Sequence, residues 1–141
     1  MMFLLDTNVV SELRRRRQAD PNLVAWASGI PVADQFLSVI TIMEVETGIL
    51  LLARRDPDRA GGLRQWLEAQ LLPSFAGRLL PVDTAVARRC AALHAPQPRP
   101  QRDALIAATA LAHRMTVVTR NVADFMPMGV PVLNPWDHPR P

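Results

Sequence analysis

Short apolar runs alternate with segments of helical period along the chain. FLL, Phe3–Leu5, reads as a buried strand, and Val9–Arg17 as a first helix. Asp20-Pro21 is a helix start, with Asp as N-cap and Pro at the first helical position. It predicts a second helix to about Ser28, stopped by Gly29 and Pro31. QFLSVI (35–40) is rich in strand formers. Thr41 and Glu44 follow with capping-box spacing, predicting a helix through Ile49 to Arg54 that Asp56-Pro57 interrupts. A helix built around Leu63, Trp66, Leu67 and Leu71 comes next, then a short strand near RLLPV (78–82) and a helix from Asp83 or Thr84 to His94.

Pro96, Pro98 and Pro100 make APQPRPQR (95–102) a loop, because proline can continue neither a helix interior nor a central strand. DALIAATALAHR (103–114) is apolar on nearly every face, the pattern of a helix packed inside the molecule. TVVTR (116–120) and VPVLN (130–134) read as two further strands. Strands alternating with helices predict an α/β fold with a parallel sheet of about four or five strands and helices on both sides. A single domain over residues 1–141 is expected.

Composition narrows the setting. A chain of 141 residues that is 49% hydrophobic fits one core. No apolar run approaches the ~20 residues that span a bilayer, and MMFLL lacks the features of a secretory signal, so a cytoplasmic location is expected. Cys90 has no partner for an internal disulfide and lies in apolar ARRCAAL, the setting of a buried structural thiol. All 16 basic residues are Arg, against a net charge of only +3. The guanidinium fork suits phosphate, which fits a nucleic-acid partner. Coding bias towards Ala, Arg and Pro produces the same composition, and the dense run Arg14–Arg17 also fits a solvated helix face.

Ligands of open parallel sheets bind beyond the carboxyl ends of the strands. Asp6 directly follows the first strand, Glu44 follows the second in the first turn of its helix, Asp103 opens the internal helix, and Asp124 follows TVVTR. Four acids from four segments would meet at one edge of the sheet. Burying them unpaired costs several kcal/mol each. A divalent cation removes that conflict, and with no His or Cys near the acids the all-oxygen set suits Mg²⁺ or Mn²⁺. Such an ion activates water and clamps the oxygens of a phosphodiester. Each acid also has a structural reading: Glu44 completes a capping box, Asp6 and Asp103 favour helix N-termini, and Asp124 caps a turn. Their shared placement at strand ends is what favours a site.

FLLDTNVVSEL, SVITIMEVETGI, LPVDTAVARRCAAL, RDALIAATALAHRMTVVTRNVADF and GVPVLNPW resemble the successive blocks of PIN-domain proteins, in the family's order from Phe3 to Trp136. The likeness is greatest to VapC-type ribonuclease toxins of toxin–antitoxin pairs, in the FitB-like branch. The resemblance implies a three-layer α/β/α fold and a Mg²⁺- or Mn²⁺-dependent endoribonuclease. Its metal-binding acids would be Asp6, Glu44, Asp103 and Asp124, supported by Asn8, Thr119 and Asn121. It implies a VapB/FitA-like antitoxin as partner, an RNA substrate, a homodimer, operator DNA reached only through the antitoxin, and no membrane.

Glu46 would lie about 200° around the helix from Glu44, outside the metal's reach. Arg14, Arg102 and Arg120 are candidates for RNA phosphates; Arg102 equally fits contact with solvent alone. His113-Arg114 stands where many relatives have a helix-ending glycine. His94, His113 and His138 lack metal-ligand spacing. Trp26 and Trp66 fit core faces, and Trp136 a tail anchor.

Two other functions fit part of the pattern. A non-catalytic RNA-binding module would use the arginines alone, but four acids repel phosphate unless a cation is present. An aspartate-based phosphatase would use Asp6 as nucleophile, but DTN lacks the second Asp two residues on, and the chain has no Lys.

Overall fold

The computed structural model describes residues 1–139. Phe3–Leu5 forms β1, buried along its whole length as a strand covered on both faces must be. The remaining strands are β2 (Gln35–Ser38), β3 (Leu79–Leu80), β4 (Thr116–Val118) and β5 (Val132–Leu133). All pair in parallel in the order β3-β2-β1-β4-β5. The pairs Leu4↔Phe36 and Leu5↔Val118 set the register around the central strand.

Alternation along β1 divides the core in two. Phe3 and Leu5 face one cluster, built with α1 (Thr7–Leu13), α2 (Pro21–Gly29), α3 (Val39–Ala53) and α4 (Pro57–Trp66). In it Phe3 and Trp26 meet edge to face at 5.3 Å between ring centroids. The layer continues from α4 through a π-helical stretch, Leu67–Leu71, into the short α5 (Leu72–Ser74). Leu4 faces the second cluster, built with α6 (Thr84–His94), α7 (Gln101–His113) and Phe125 of the short α8 (Val122–Phe125). The architecture is therefore three layers, α/β/α. Cys90 is buried in the second cluster, and its surroundings push its thiol pKa up.

Several boundaries differ from the sequence expectation. Helix α1 begins at Thr7, capped by Asp6, and stops at Leu13, so Arg14–Arg17 lie in turns rather than on a helix face. Strand β2 ends at Ser38, whose hydroxyl accepts from Ile40 N at 3.0 Å and caps α3. The Thr41–Glu44 capping box is therefore not formed, and Glu44 sits in the second turn. A fully buried hydroxyl directly at the strand end caps the helix three residues before the one that matched the motif. Helix α7 starts at Gln101, two residues before the expected Asp103, because Pro100 supplies its N-cap. Asp20 and Asp83 cap α2 and α6 as their sequences indicate.

Arg114 ends α7 in the left-handed conformation, φ +56°, while Met115 N reaches back to Ala110 O at 2.8 Å. This is the position where glycine avoids a steric cost. Arg114→Gly is expected to stabilise the protein by about 0.5–1 kcal/mol, the left-handed penalty less the backbone entropy of glycine. A thermal melt should rise by a few degrees; an unchanged or lowered midpoint would rule this out.

Candidate active site

The reversal of strand order falls between β1 and β4, where the chain runs outward to β3 and returns on the other side of β1. Asp6 and Thr119 follow the carboxyl ends of these two strands, and Asp6 N donates to Val118 O at 2.9 Å. Asp6 is fully buried, and every oxygen of its carboxylate is occupied. Oδ1 accepts from Thr7 N at 2.8 Å, and Oδ2 accepts from Thr119 Oγ1 at 2.8 Å and Asn8 Nδ2 at 3.3 Å. Thr119 Oγ1 in turn accepts from Asn8 Nδ2 at 3.2 Å and Asn121 N at 3.0 Å. Asn8 Oδ1 accepts from Arg120 N at 3.3 Å, tying the loop after β4 to α1.

Glu44 reaches the same place from α3. Its Oε1 accepts from Thr7 Oγ1 at 2.5 Å, and Thr41 Oγ1 lies 3.4 Å from that hydroxyl. Thr7 thus orients Glu44 with its side chain while its backbone N–H holds Asp6. The sequence marked Thr41 only as a helix cap and gave Thr7 no part in the site; their role beside Glu44 depends on α1 and α3 lying side by side, which local pattern does not show.

Asp103 enters from the first turn of α7, nearly buried. Burial pushes its pKa up, and the fields of Asp124 and Asp6 act in the same direction, against the opposing pull of Arg102. Asp124 is exposed in the first turn of α8, near enough for its charge to be felt at Asp103.

Arg102 lies at the centre. Its Nη2 pairs with Asp6 Oδ1, its Nε with Glu44 Oε2 and its Nη1 with Asp103 Oδ1. Burial alone would lower its pKa, but the hydrogen bond to Glu44 and the fields of Asp6 and Glu44 outweigh that and raise it. The guanidinium is charged at every accessible pH.

The other arginines lie apart from the acids. Arg120 stacks over the Trp136 ring, its Cζ 5.3 Å from the centroid. Trp136 O in turn accepts from Asn22 Nδ2 at 2.7 Å, which anchors the tail to α2. Arg14 lines a cleft of about 300 Å³ with Thr7, Glu44, Val45, Ile49 and Trp66. Glu46 is turned away and pairs with Arg64 of α4 at 2.5 Å. His94 accepts from Arg99 N and meets Gln101 Oε1, bracing the proline loop.

The donors are carboxylate and hydroxyl oxygens, the chemistry a hard divalent cation takes. Among the described residues no three acidic, His or Cys side chains are grouped closely enough to hold an ion as they stand. The reason is visible in the pairs just described: three acids each face a different nitrogen of one guanidinium. Donor type and convergence fit a metal, and the spacing fits Arg102.

The PIN domain family model matches residues 3–125. The chain belongs to the PIN domain family. It is 40% identical over 141 residues to Toxin FitB of Neisseria gonorrhoeae, covering 96% of this chain and 99% of that protein. To VapC ribonuclease Y4jK of Sinorhizobium fredii it is 36% identical, with the same coverage. The solved structure of FitAB bound to an IR36 DNA fragment superposes with a TM-score of 0.87 at 38% identity, covering 99% of both chains. Among the described residues no helix is long and apolar enough to cross a membrane.

Proposed function

We propose that this PIN domain is a divalent-metal-dependent endoribonuclease and the toxin of a cytoplasmic toxin–antitoxin pair. The observation that carries the reading is the convergence of Asp6, Glu44 and Asp103, from three separate elements, on one cation at the carboxyl ends of β1 and β4. Relatives named as a toxin and as a ribonuclease support the same assignment over almost the whole chain.

Asp6, Glu44 and Asp103 would hold Mg²⁺ or Mn²⁺, and Asp124, beside Asp103, would orient the attacking water or a second ion. The bound ion supplies a water of lowered pKa and neutralises charge on the scissile phosphate. Thr119 and Asn8 hold Asp6, and Thr7 holds Glu44, so one oxygen of each acid is fixed and the other is left to face the centre of the cluster. Water adds to phosphorus and the 3′ oxygen of the preceding nucleotide leaves, giving 5′-phosphate and 3′-hydroxyl ends. Arg14 and Arg120, outside the acid cluster, would contact RNA phosphates.

The aspartyl-phosphatase reading is disfavoured by Asp6 itself, whose two oxygens are both committed to hydrogen bonds and the Arg102 pair. FitAB bound to DNA supports a partner chain that contacts operator DNA on the toxin's behalf.

The test uses purified protein and a mixed-sequence RNA. Cleavage is expected with Mn²⁺ or Mg²⁺, none in EDTA, and recovery when the ion is restored. Ligation-based sequencing of the fragments should read 5′-phosphate ends; cyclic phosphate products or EDTA-resistant cleavage would overturn the mechanism.

A further inference from the structure

The Arg102 guanidinium uses three nitrogens on three acids from different elements. Local forces do not explain this position, since a cation in the first turn of α7 stands against the helix dipole. The acids explain it. Two of them have their other oxygen already committed, Asp6 Oδ2 to Thr119 and Asn8, and Glu44 Oε1 to Thr7. The oxygens that face the centre of the cluster are therefore the ones Arg102 holds, and they are the ones a divalent ion needs.

We propose that Arg102 is a built-in competitor for the metal: it holds the acids in an ion-free arrangement, and a divalent ion binds only as the guanidinium swings out. This inference rests on the metal site proposed above. The geometry allows the exchange. Asp6 is fully buried, whereas the Arg102 side chain is 31% exposed and has a route to solvent. It is the second residue of α7, two positions after Pro100 at the end of the proline loop. The charge favours it as well, because three ionised acids around one guanidinium leave a net −2, with Asp124 close by. The residual field attracts a divalent ion to an occupied site, and the ion replaces one positive charge with two.

Arg102 thus sets the ion concentration at which the enzyme switches on. A cation sits among the acids in either state, so the ion-free protein is spared the full repulsion of an empty carboxylate cluster. A partner that offered its own guanidinium would have to compete with one already seated.

The experiment is Mn²⁺ binding by calorimetry on the full chain, wild type beside Arg102→Met and Arg102→Lys. Arg102→Met keeps the stem and removes the charge. It is expected to tighten Mn²⁺ binding by about tenfold or more, since the closed population no longer subtracts from affinity. Arg102→Lys, a point charge without the fork, should fall between. In EDTA the Met variant should melt below wild type, and Mn²⁺ should raise its midpoint more than it raises that of wild type. On the wild type alone, the Arg102 Nε–Hε resonance should be protected without metal and exchange with solvent at saturating Mg²⁺, a readout that survives if the Met variant does not fold. Equal Mn²⁺ affinity in all three proteins, the result expected of an arginine that serves only RNA phosphate, overturns the competition and leaves the metal site standing. An Nε–Hε signal unmoved at saturating Mg²⁺ does the same. Absence of Mn²⁺ binding in every protein overturns the competition and the metal site together.

Discussion

Asp6→Asn should cut RNA cleavage by about 10³-fold or more, the scale of losing several kcal/mol of transition-state stabilisation at a metal centre. Asp6 is the only fully buried acid of the site and sits directly at the end of the central strand. Asparagine keeps the volume and an oxygen for Thr7 N, but it loses the charge that would hold a cation. Its amide group would replace the oxygen that accepts from Thr119 and Asn8. That mismatch costs about 1–3 kcal/mol, while Glu44 and Asp103 still hold Arg102. The variant should therefore fold, with a lowered melting temperature and no cleavage. Circular dichroism and an RNA assay separate the two effects. Full metal-dependent activity in a folded Asp6→Asn would remove Asp6 from the site.

Much of this site follows from chain order alone. In a parallel sheet every strand ends on the same edge, so Asp6 just after FLL and Thr119 at the end of TVVT approach one another however the helices pack. Elements with sharp local signals appear where expected: Asp20-Pro21 and Asp83 cap their helices. The alternation between Phe3 and Leu5 on one side and Leu4 on the other is likewise readable from a strand that must be covered twice.

What the sequence hid was decided by competition between equal local signals or by contacts across the fold. Ser38 and Thr41 are both competent caps, and only the end of β2 selects Ser38. Arg14–Arg17 continue a helical pattern, yet α1 stops at Leu13. Arg102 is the main case. Beside Asp103 in sequence it reads as a surface charge next to an acid, and its reach to Asp6 and Glu44 spans 96 and 58 positions. No local pattern encodes that convergence, because it arises only when α3 and α7 are docked on the ends of the sheet.

High-level expression of the chain alone should arrest growth, and co-expression of the protein encoded beside it should restore growth and stop RNA cleavage. The surface next to the acids supports such a partner. Helix α3 exposes Met43 at 54% and Leu50 and Leu51 at 58% each, more apolar surface than one helix of a free-standing domain usually leaves to water. Beside it the cleft lined by Val45, Ile49, Leu63 and Trp66 opens at Glu44 and Thr7. An inhibitor helix or extended segment laid along α1 and α3 would bury these side chains, and that burial would supply much of its affinity. The same segment would cover the approach to the acids and exclude RNA by position alone. Leu50→Glu with Leu51→Glu should weaken the complex while leaving RNA cleavage intact, because neither residue lines the acid cluster. Harmless expression of the chain together with a neighbour that neither binds nor inhibits it would end the toxin assignment. Cleavage by the purified protein would still stand as a separate result.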